Sequence, residues 1–258
     1  GCTLIERSSR EFRLTVQGQL VLTHARRLLA GSQALHNELQ QFNGLKHGEL
    51  HFGSGPYPAQ LLVPEAVAQF INAYPAIRLR LQQADWQQLG TLLKEQQIEF
   101  LVADSRDFMS DATLQVQLLR PRRGWFFCRR EHPLASRKKL KPSDLLDFPL
   151  AATPMPARIG KLLAGLQGVD EFSVSVECAQ FDTVCRVVTR SNAIGIATME
   201  ALGELEAQGV ISLLDFADID ANDSGLHVHY GVVSRAGYPL TPAAQAMVDA
   251  LVEVDNRL

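Results

Sequence analysis

GCTLIERSSREFRLTVQG, residues 1–18, reads as a short hairpin running into a long helix, and the fold divides at that junction. Leu4–Arg7 and Phe12–Leu14 place apolar residues on either side of a polar Ser8-Ser9-Arg10 tip, as a small hairpin would. Arg7, Arg10 and Arg13 on so compact an element could track a phosphate backbone. A surface hairpin with ordinary solvated arginines would show the same pattern. Thr15 follows as a helix N-cap, although Gly18 stands where a capping box has Glu or Gln.

From Thr15 to about Gly44 the spacing predicts one helix. Val21, Leu28, Leu35 and Phe42 recur every seven residues, with Ala25, Ser32 and Leu39 between them, a narrow apolar seam of the kind that pairs with another helix. Gly18 and Gly31 weaken the isolated helix by about 1 kcal/mol each relative to Ala, so it needs a partner, either a second copy or its own domain. Asn43 to Gly48 (NGLKHG) is a polar break with two glycines, a hinge by composition.

Beyond the hinge, strands and helices alternate. Glu49–Ser54, Arg78–Gln82 and Ile98–Ala103 read as strands, separated by helices over Leu61–Tyr74 and Trp86–Gln96. A second unit repeats the scheme: strand Phe148–Ala152, helix Arg158–Leu166, strand Phe172–Glu177, helix Phe181–Thr189, strand Ala193–Thr198. This order implies parallel sheets with right-handed crossovers and an α/β class. Two such lobes in tandem describe a periplasmic-binding-protein-like architecture. A late strand, Val228–Ser234, and a helix, Pro242–Val254, return to the first lobe, which sets two crossings near Gly124–Cys128 and His227–Val233.

Composition narrows the function. At 258 residues and 46% hydrophobic the chain can bury more than one core. No apolar run approaches the ~20 residues of a membrane span and nothing at the start resembles a signal peptide, so a cytoplasmic location without membrane contact is expected. Cys2, Cys128, Cys178 and Cys185 lack zinc or redox spacing and are expected to be reduced. The net charge of −3 hides a polarity: residues 1–47 carry net +3 and residues 200–258 net −8. A basic element at one end of an acidic protein fits a nucleic-acid contact confined to that end. Nine bases between residues 120 and 141 flank the buried-strand pattern Trp125-Phe126-Phe127-Cys128, and a solvated face or subunit interface is expected there. His227 and His229 share one strand face but make an incomplete metal site. No nucleophile motif, phosphate loop or acidic metal cluster occurs, so no catalytic residue, no metal and no cofactor is assigned.

The stretch Leu-Ile-Glu-Arg…Phe-Arg-Leu-Thr-x-x-Gly followed by His-Ala-Arg-Arg-Leu-Leu resembles the wing and linker helix of LysR-type transcriptional regulators. Leu-Leu-Val-Pro-Glu…Phe-Ile-Asn-Ala-Tyr-Pro-Ala-Ile-Arg-Leu, Glu131–Ala135 (EHPLA) and Arg190–Ala197 (RSNAIGIA) resemble segments of the effector-binding domain of the same family, in the same order. The resemblance implies residues 1–14 as the remnant wing of a winged helix-turn-helix domain and 15–47 as a linker and dimerisation helix. It further implies 48–123 plus 230–258 as effector lobe I and 124–229 as lobe II. Double-stranded DNA would be met through the wing and a recognition helix missing from this sequence, and self-association, as dimer or tetramer, would run through Val21, Leu28, Leu35, Leu39 and Phe42.

An effector cleft is expected at the carboxyl ends of the strands. That nominates Ser54, Pro56 and Tyr57, then Asp85, Trp86 and Asp104, with Thr153, Pro154 and Arg158 from the second lobe and Phe181 and Thr198 completing it. The family commonly has Ser or Thr at the positions of Tyr57 and Trp86, where it holds a carboxylate. Aromatic residues there suggest a stacking platform, or else core packing, and Arg158 a cation for an anionic effector, so an aromatic or sugar acid is expected. The function implied is an effector-responsive transcriptional regulator that binds DNA as an oligomer. A solute-binding protein of a transport system is the alternative, and an enzyme on the same two-lobe fold ranks third. Leu28→Glu with Leu35→Glu is expected to shift the protein towards monomer in analytical ultracentrifugation; unchanged sedimentation would mean that the seam packs within one chain.

Overall fold

The structure, a computed structural model, describes residues 2–7, 12–41, 47–155, 160–161, 164–165, 168, 170, 174–216 and 226–258. Strands β1 (Ile5–Arg7) and β2 (Phe12–Leu14) form the hairpin, with Ile5 opposite Leu14 and Glu6 opposite Arg13. Thr15 then caps helix α1 (Val16–Gln41): its Oγ1 accepts from the Gly18 N–H at 2.9 Å while donating to the Thr3 carbonyl at 2.8 Å. The cap explains Gly18. A Cβ there would run into the Leu4 carbonyl, so the capping-box Glu or Gln is sterically barred by the hairpin the helix leans on.

Of the expected seam, Val21, Leu28, Leu35 and Leu39 are exposed in a single copy, Leu28 to 76%, and Phe42 lies outside the described residues. This row of apolar side chains on one long helix still faces water, and at roughly 25 cal/mol per Å² it gains on meeting an apolar partner.

The remaining strands form one sheet in the order β4-β3-β5-β11-β6-β9-β7-β8, with β10 alongside β6. One end holds β3 (Gly48–Ser54), β4 (Ile77–Gln83) and β5 (Phe100–Asp104), all parallel. The other holds β7 (Leu150–Ala152), β8 (Val176–Glu177), β9 (Ile194–Thr198) and β10 (Ile211–Leu214). Two long strands join them: β6 (Leu114–Arg129) and β11 (His227–Arg235). They pair antiparallel with each other, and β11 pairs antiparallel with β5, so the sheet is mixed where the sequence pattern implied parallel pairing. The reason lies in β6. Its first half mixes glutamines and arginines with apolar residues (LQVQLLRPRR) and reads as a surface segment, yet it continues the apolar run Trp125–Cys128 as a single strand of 16 residues.

Helices α2 (Leu62–Ala73), α3 (Trp86–Lys94) and α6 (Pro242–Arg257) clothe the first lobe. Helices α4 (Phe181–Thr189) and α5 (Met199–Ala207) pack on the second. Each lobe buries apolar residues on both sheet faces, as helices above and below a parallel core require. Leu50, Phe52, Phe70 and Met247 fill one face of lobe I, and Leu89, Leu93 and Leu101 the other. Phe126, Leu134 and Ile194 against Phe127, Phe181 and Val184 do the same for lobe II. The helix expected over 158–166 lies largely outside the described residues, and of the strand expected over 172–177 residues 174–177 are described, with Val176–Glu177 as strand β8.

The basic run is only partly a solvated face. Arg122 is 9% exposed and sits where β6 passes between the lobes. Its guanidinium meets Asp255 of α6 at 2.6 Å and Glu200 of α5 at 3.1 Å, and the second oxygen of Asp255 accepts from the Arg120 N–H at 2.9 Å. Arg129 donates to the Ser191 carbonyl and the Asn192 side chain. His132, in the segment entering lobe II, is 3% exposed against Phe148. Its Nδ1 accepts from the Leu134 N–H at 3.1 Å, which leaves Nε2 to donate to the Asn192 carbonyl at 3.1 Å. Both ring nitrogens are thus committed to the neutral form, and burial lowers the pKa further.

Asp255→Ala strands a buried guanidinium and should cost about 3–5 kcal/mol in urea unfolding, with Asp255→Ala/Arg122→Met recovering part of the loss. His132 has the same sign of linkage as a salt-bridged carboxylate, because its pKa is also lowered on folding. Its folded pKa lies below the unfolded value of about 6.5, so its stabilisation is complete above that pH and falls as the unfolded state takes up the proton first. Thermal melts from pH 8 to 5 should show this decline, and His132→Gln should flatten it.

Candidate functional site

A cavity of about 80 Å³ lies between the lobes at the carboxyl ends of their strands. Lobe I supplies the turn after β3 (Gly55, Pro56, Tyr57, Pro58), Trp86 at the head of α3, and Ala103, Asp104 and Arg106 at the end of β5. Lobe II supplies Thr153, Pro154 and Met155 after β7, with Ile196 and Ala197 of β9. The crossing strands and the residue before β11 complete the wall through Gly124, Leu226, Val228 and Tyr230. Glycine is required twice in this region. A Cβ on Gly124 would approach the Leu226 carbonyl to 2.9 Å, and one on Gly231 would approach Ser105 to 2.7 Å.

Tyr57 joins the lobes. Its hydroxyl donates to the Ile196 carbonyl at 3.0 Å and accepts from Thr153 Oγ1 at 3.0 Å, while its ring meets Phe181 edge-on at 5.5 Å. Enclosure of that hydroxyl pushes its pKa up to about 12, so it stays a neutral donor. A second tyrosine repeats the device: Tyr230 shares a hydrogen bond with Thr198 at 3.2 Å, and burial raises its pKa as well.

The charged side chains on the wall, among the described residues, are Asp104 and Arg106. They pair bidentately, Nε to Oδ1 at 2.9 Å and Nη2 to Oδ2 at 2.6 Å, with side chains 14% and 17% exposed. His229 lies in the field of both, and burial first, then the Arg106 charge, depresses its pKa. The rest of the wall is mostly carbon. Such a cavity can hold an apolar body and offer one guanidinium to an anion at its edge.

Six of the nominated residues share the wall: Pro56, Tyr57, Trp86, Asp104, Thr153 and Pro154. The other four that fall among the described residues stand behind it. Ser54 is buried under the turn, donating to the Gly55 carbonyl, and Asp85 is the N-cap of α3, accepting from the Gln88 N–H at 2.8 Å. Phe181 backs Tyr57, and Thr198 backs Tyr230. Arg158, Arg10 and Phe42 lie outside the described residues. Arg106 was not anticipated, although a polar Asp-Ser-Arg directly after the buried run Ile98–Ala103 was the available signal. Leu226 and Val228 were likewise missed, since nothing marks an apolar residue as cavity wall and not core. His227 and His229 belong to no metal-holding group of three or more His, Cys, Asp or Glu among the described residues, and all four cysteines are free thiols. No helix among them is long and apolar enough to cross a membrane.

Comparison with known proteins places this geometry. The family described as LysR substrate binding domain matches residues 43–256. The SDS degradation transcriptional activation protein of Pseudomonas sp. (strain ATCC 19151) is 38% identical over 259 residues, covering 100% of this chain and 83% of that protein. Among solved structures, a mutant OxyR of Corynebacterium glutamicum superposes with a TM-score of 0.66 at 18% identity, covering 98% of this chain and 79% of that one. The effector binding domain of QuiR in complex with shikimate gives a TM-score of 0.66 at 15% identity, with 82% and 98% covered.

Proposed function

The chain belongs to the LysR family of transcriptional regulators, and from that premise we propose that the interlobe cavity is its effector site and that the effector is an apolar organic anion. A LysR-type regulator binds DNA as an oligomer and responds to a small molecule held between two α/β lobes. The single observation that carries the finer reading is the chemistry of the wall: Trp86, Pro56, Pro154, Met155 and Leu226 around one Arg106–Asp104 pair. An aromatic acid fits this division. A sugar acid fits it less well, because few wall groups could satisfy a ring of hydroxyls. The 38% identical relative is named for activating SDS degradation, and SDS is an alkyl chain with one sulfate, another molecule with an apolar body and a single anionic end.

At about 80 Å³ the cavity is smaller than the ~300 Å³ usual for a ligand pocket, so a longer effector enters as the lobes part. The differential contacts it makes in the parted and closed states then set the equilibrium between them. Shifts of lobe angle reach the DNA through α1, whose exposed Val21, Leu28, Leu35 and Leu39 pair with a second copy, and through the hairpin bearing Arg7 and Arg13. Arg158 stays a second candidate cation by its place in the sequence.

Trp86 should report occupancy. Titration with octyl sulfate and with benzoate should quench or shift its emission saturably, Trp86→Phe separating it from the Trp125 background. Arg106→Ala should weaken the bound anion by about 2 kcal/mol or more. A ligand that binds Arg106→Ala equally well and leaves Trp86 emission unmoved would place the site elsewhere.

A further inference from the structure

Beyond the Tyr57–Phe181 contact lies a second and larger space, a groove of about 690 Å³ whose apolar wall (Leu61, Phe181, Cys185, Met199 and Leu205) is edged by the charged Asp182, Arg186, Glu200 and Glu204. Tyr57 faces the small cavity and Phe181 the groove, and the two rings touch edge-on at 5.5 Å. The two rings in contact thus stand between the small cavity and the groove. The same tyrosine takes up the Ile196 carbonyl and the Thr153 hydroxyl, two polar groups on the lobe II wall. Building on the effector site proposed above, we propose that Tyr57 is the specificity-determining residue of the cleft. It limits the length of the ligand and fixes its orientation.

Both effects follow from steric and polar occupancy. A ring that fills the inner end stops an apolar chain short of the groove. With the Thr153 and Tyr57 O–H groups spent on Tyr57 and the Ile196 carbonyl, neither is left to donate to an anion, so the anionic end of a ligand turns towards Arg106, where a guanidinium stands at the wall. A smaller residue at position 57 would join the two spaces and return Thr153 and the Ile196 carbonyl to the ligand. Tyr57→Phe separates the two contributions, because it keeps the ring and removes only the hydroxyl.

The test is calorimetric binding of the alkyl sulfates from butyl to dodecyl to the full chain and three variants. Wild type should gain affinity with chain length up to an optimum and lose it beyond. Tyr57→Ala should move the optimum at least two carbons longer, with tenfold or greater gain for the longest chains. Phe181→Ala opens the same contact from the groove side and should move it likewise, which guards against one variant failing to fold. Tyr57→Phe should keep the wild-type optimum. Unchanged optima in both alanine variants, with Arg106→Ala still weakening every member, would overturn the role of Tyr57 and leave the cleft assignment standing. An optimum that moves as far in Tyr57→Phe as in Tyr57→Ala would also overturn it. Absence of saturable binding by every protein would overturn both readings together.

Discussion

Arg122 is the group around which the two lobes are arranged. A guanidinium withdrawn from water must be neutralised and hydrogen-bonded, or its desolvation unfolds whatever encloses it. Its partners come from different places: Asp255 from the last helix of lobe I, Glu200 from the first turn of a lobe II helix. The charge itself rides on β6, the strand that belongs to both. Neither lobe can therefore move relative to the other without changing the environment of one buried cation. The interlobe cavity lies alongside this triad, with Tyr230 of its wall hydrogen-bonded to Thr198, two residues before Glu200.

Local chemistry made much of the fold legible. Alternation in Glu49–Ser54, the run Ile98–Ala103 and the capping residue Thr15 each signal their element through nearest neighbours, and those signals survive folding. Asp85 illustrates the limit. Placed by sequence at a strand-to-helix turn, it could serve a ligand or a helix end, and only coordinates show its carboxylate spent on the Gln88 N–H. The first half of β6 hid for a related reason. Arg120, Arg122 and Arg123 look like a surface run until Asp255, 133 residues beyond Arg122, supplies the counter-charge that lets the strand pass through the interior. Arg106 was hidden in the same way, since a cavity wall is made by residues far apart in the chain. Tyr57 could be nominated for the cleft from its place after the first strand, but its bonds across to Ile196 and Thr153 are tertiary facts.

The cleft is thus built against polarity. Its two tyrosines and its threonines are satisfied by one another and by the backbone, its cation is paired with Asp104, and carbon makes up most of what is left. Selectivity in such a site comes from shape and from a single charge, not from a set of directional hydrogen bonds. Discrimination between ligands that differ by one methylene is then modest, about 1–3 kcal/mol, and between ligands of different length or charge much greater.

The paired strands β6 and β11 carry a mechanical consequence. Two hydrogen-bonded antiparallel ribbons resist shear, because sliding one past the other breaks every rung of the ladder at once. They yield far more easily to torsion, and the register shift between His229 and Gly231 puts the one irregular rung beside the cleft. Twist of this ribbon is thereby the softer route by which one lobe could turn against the other. A bound molecule in such a device is registered as an angle, and two rigidly coupled copies would add or cancel their angles according to the symmetry that relates them.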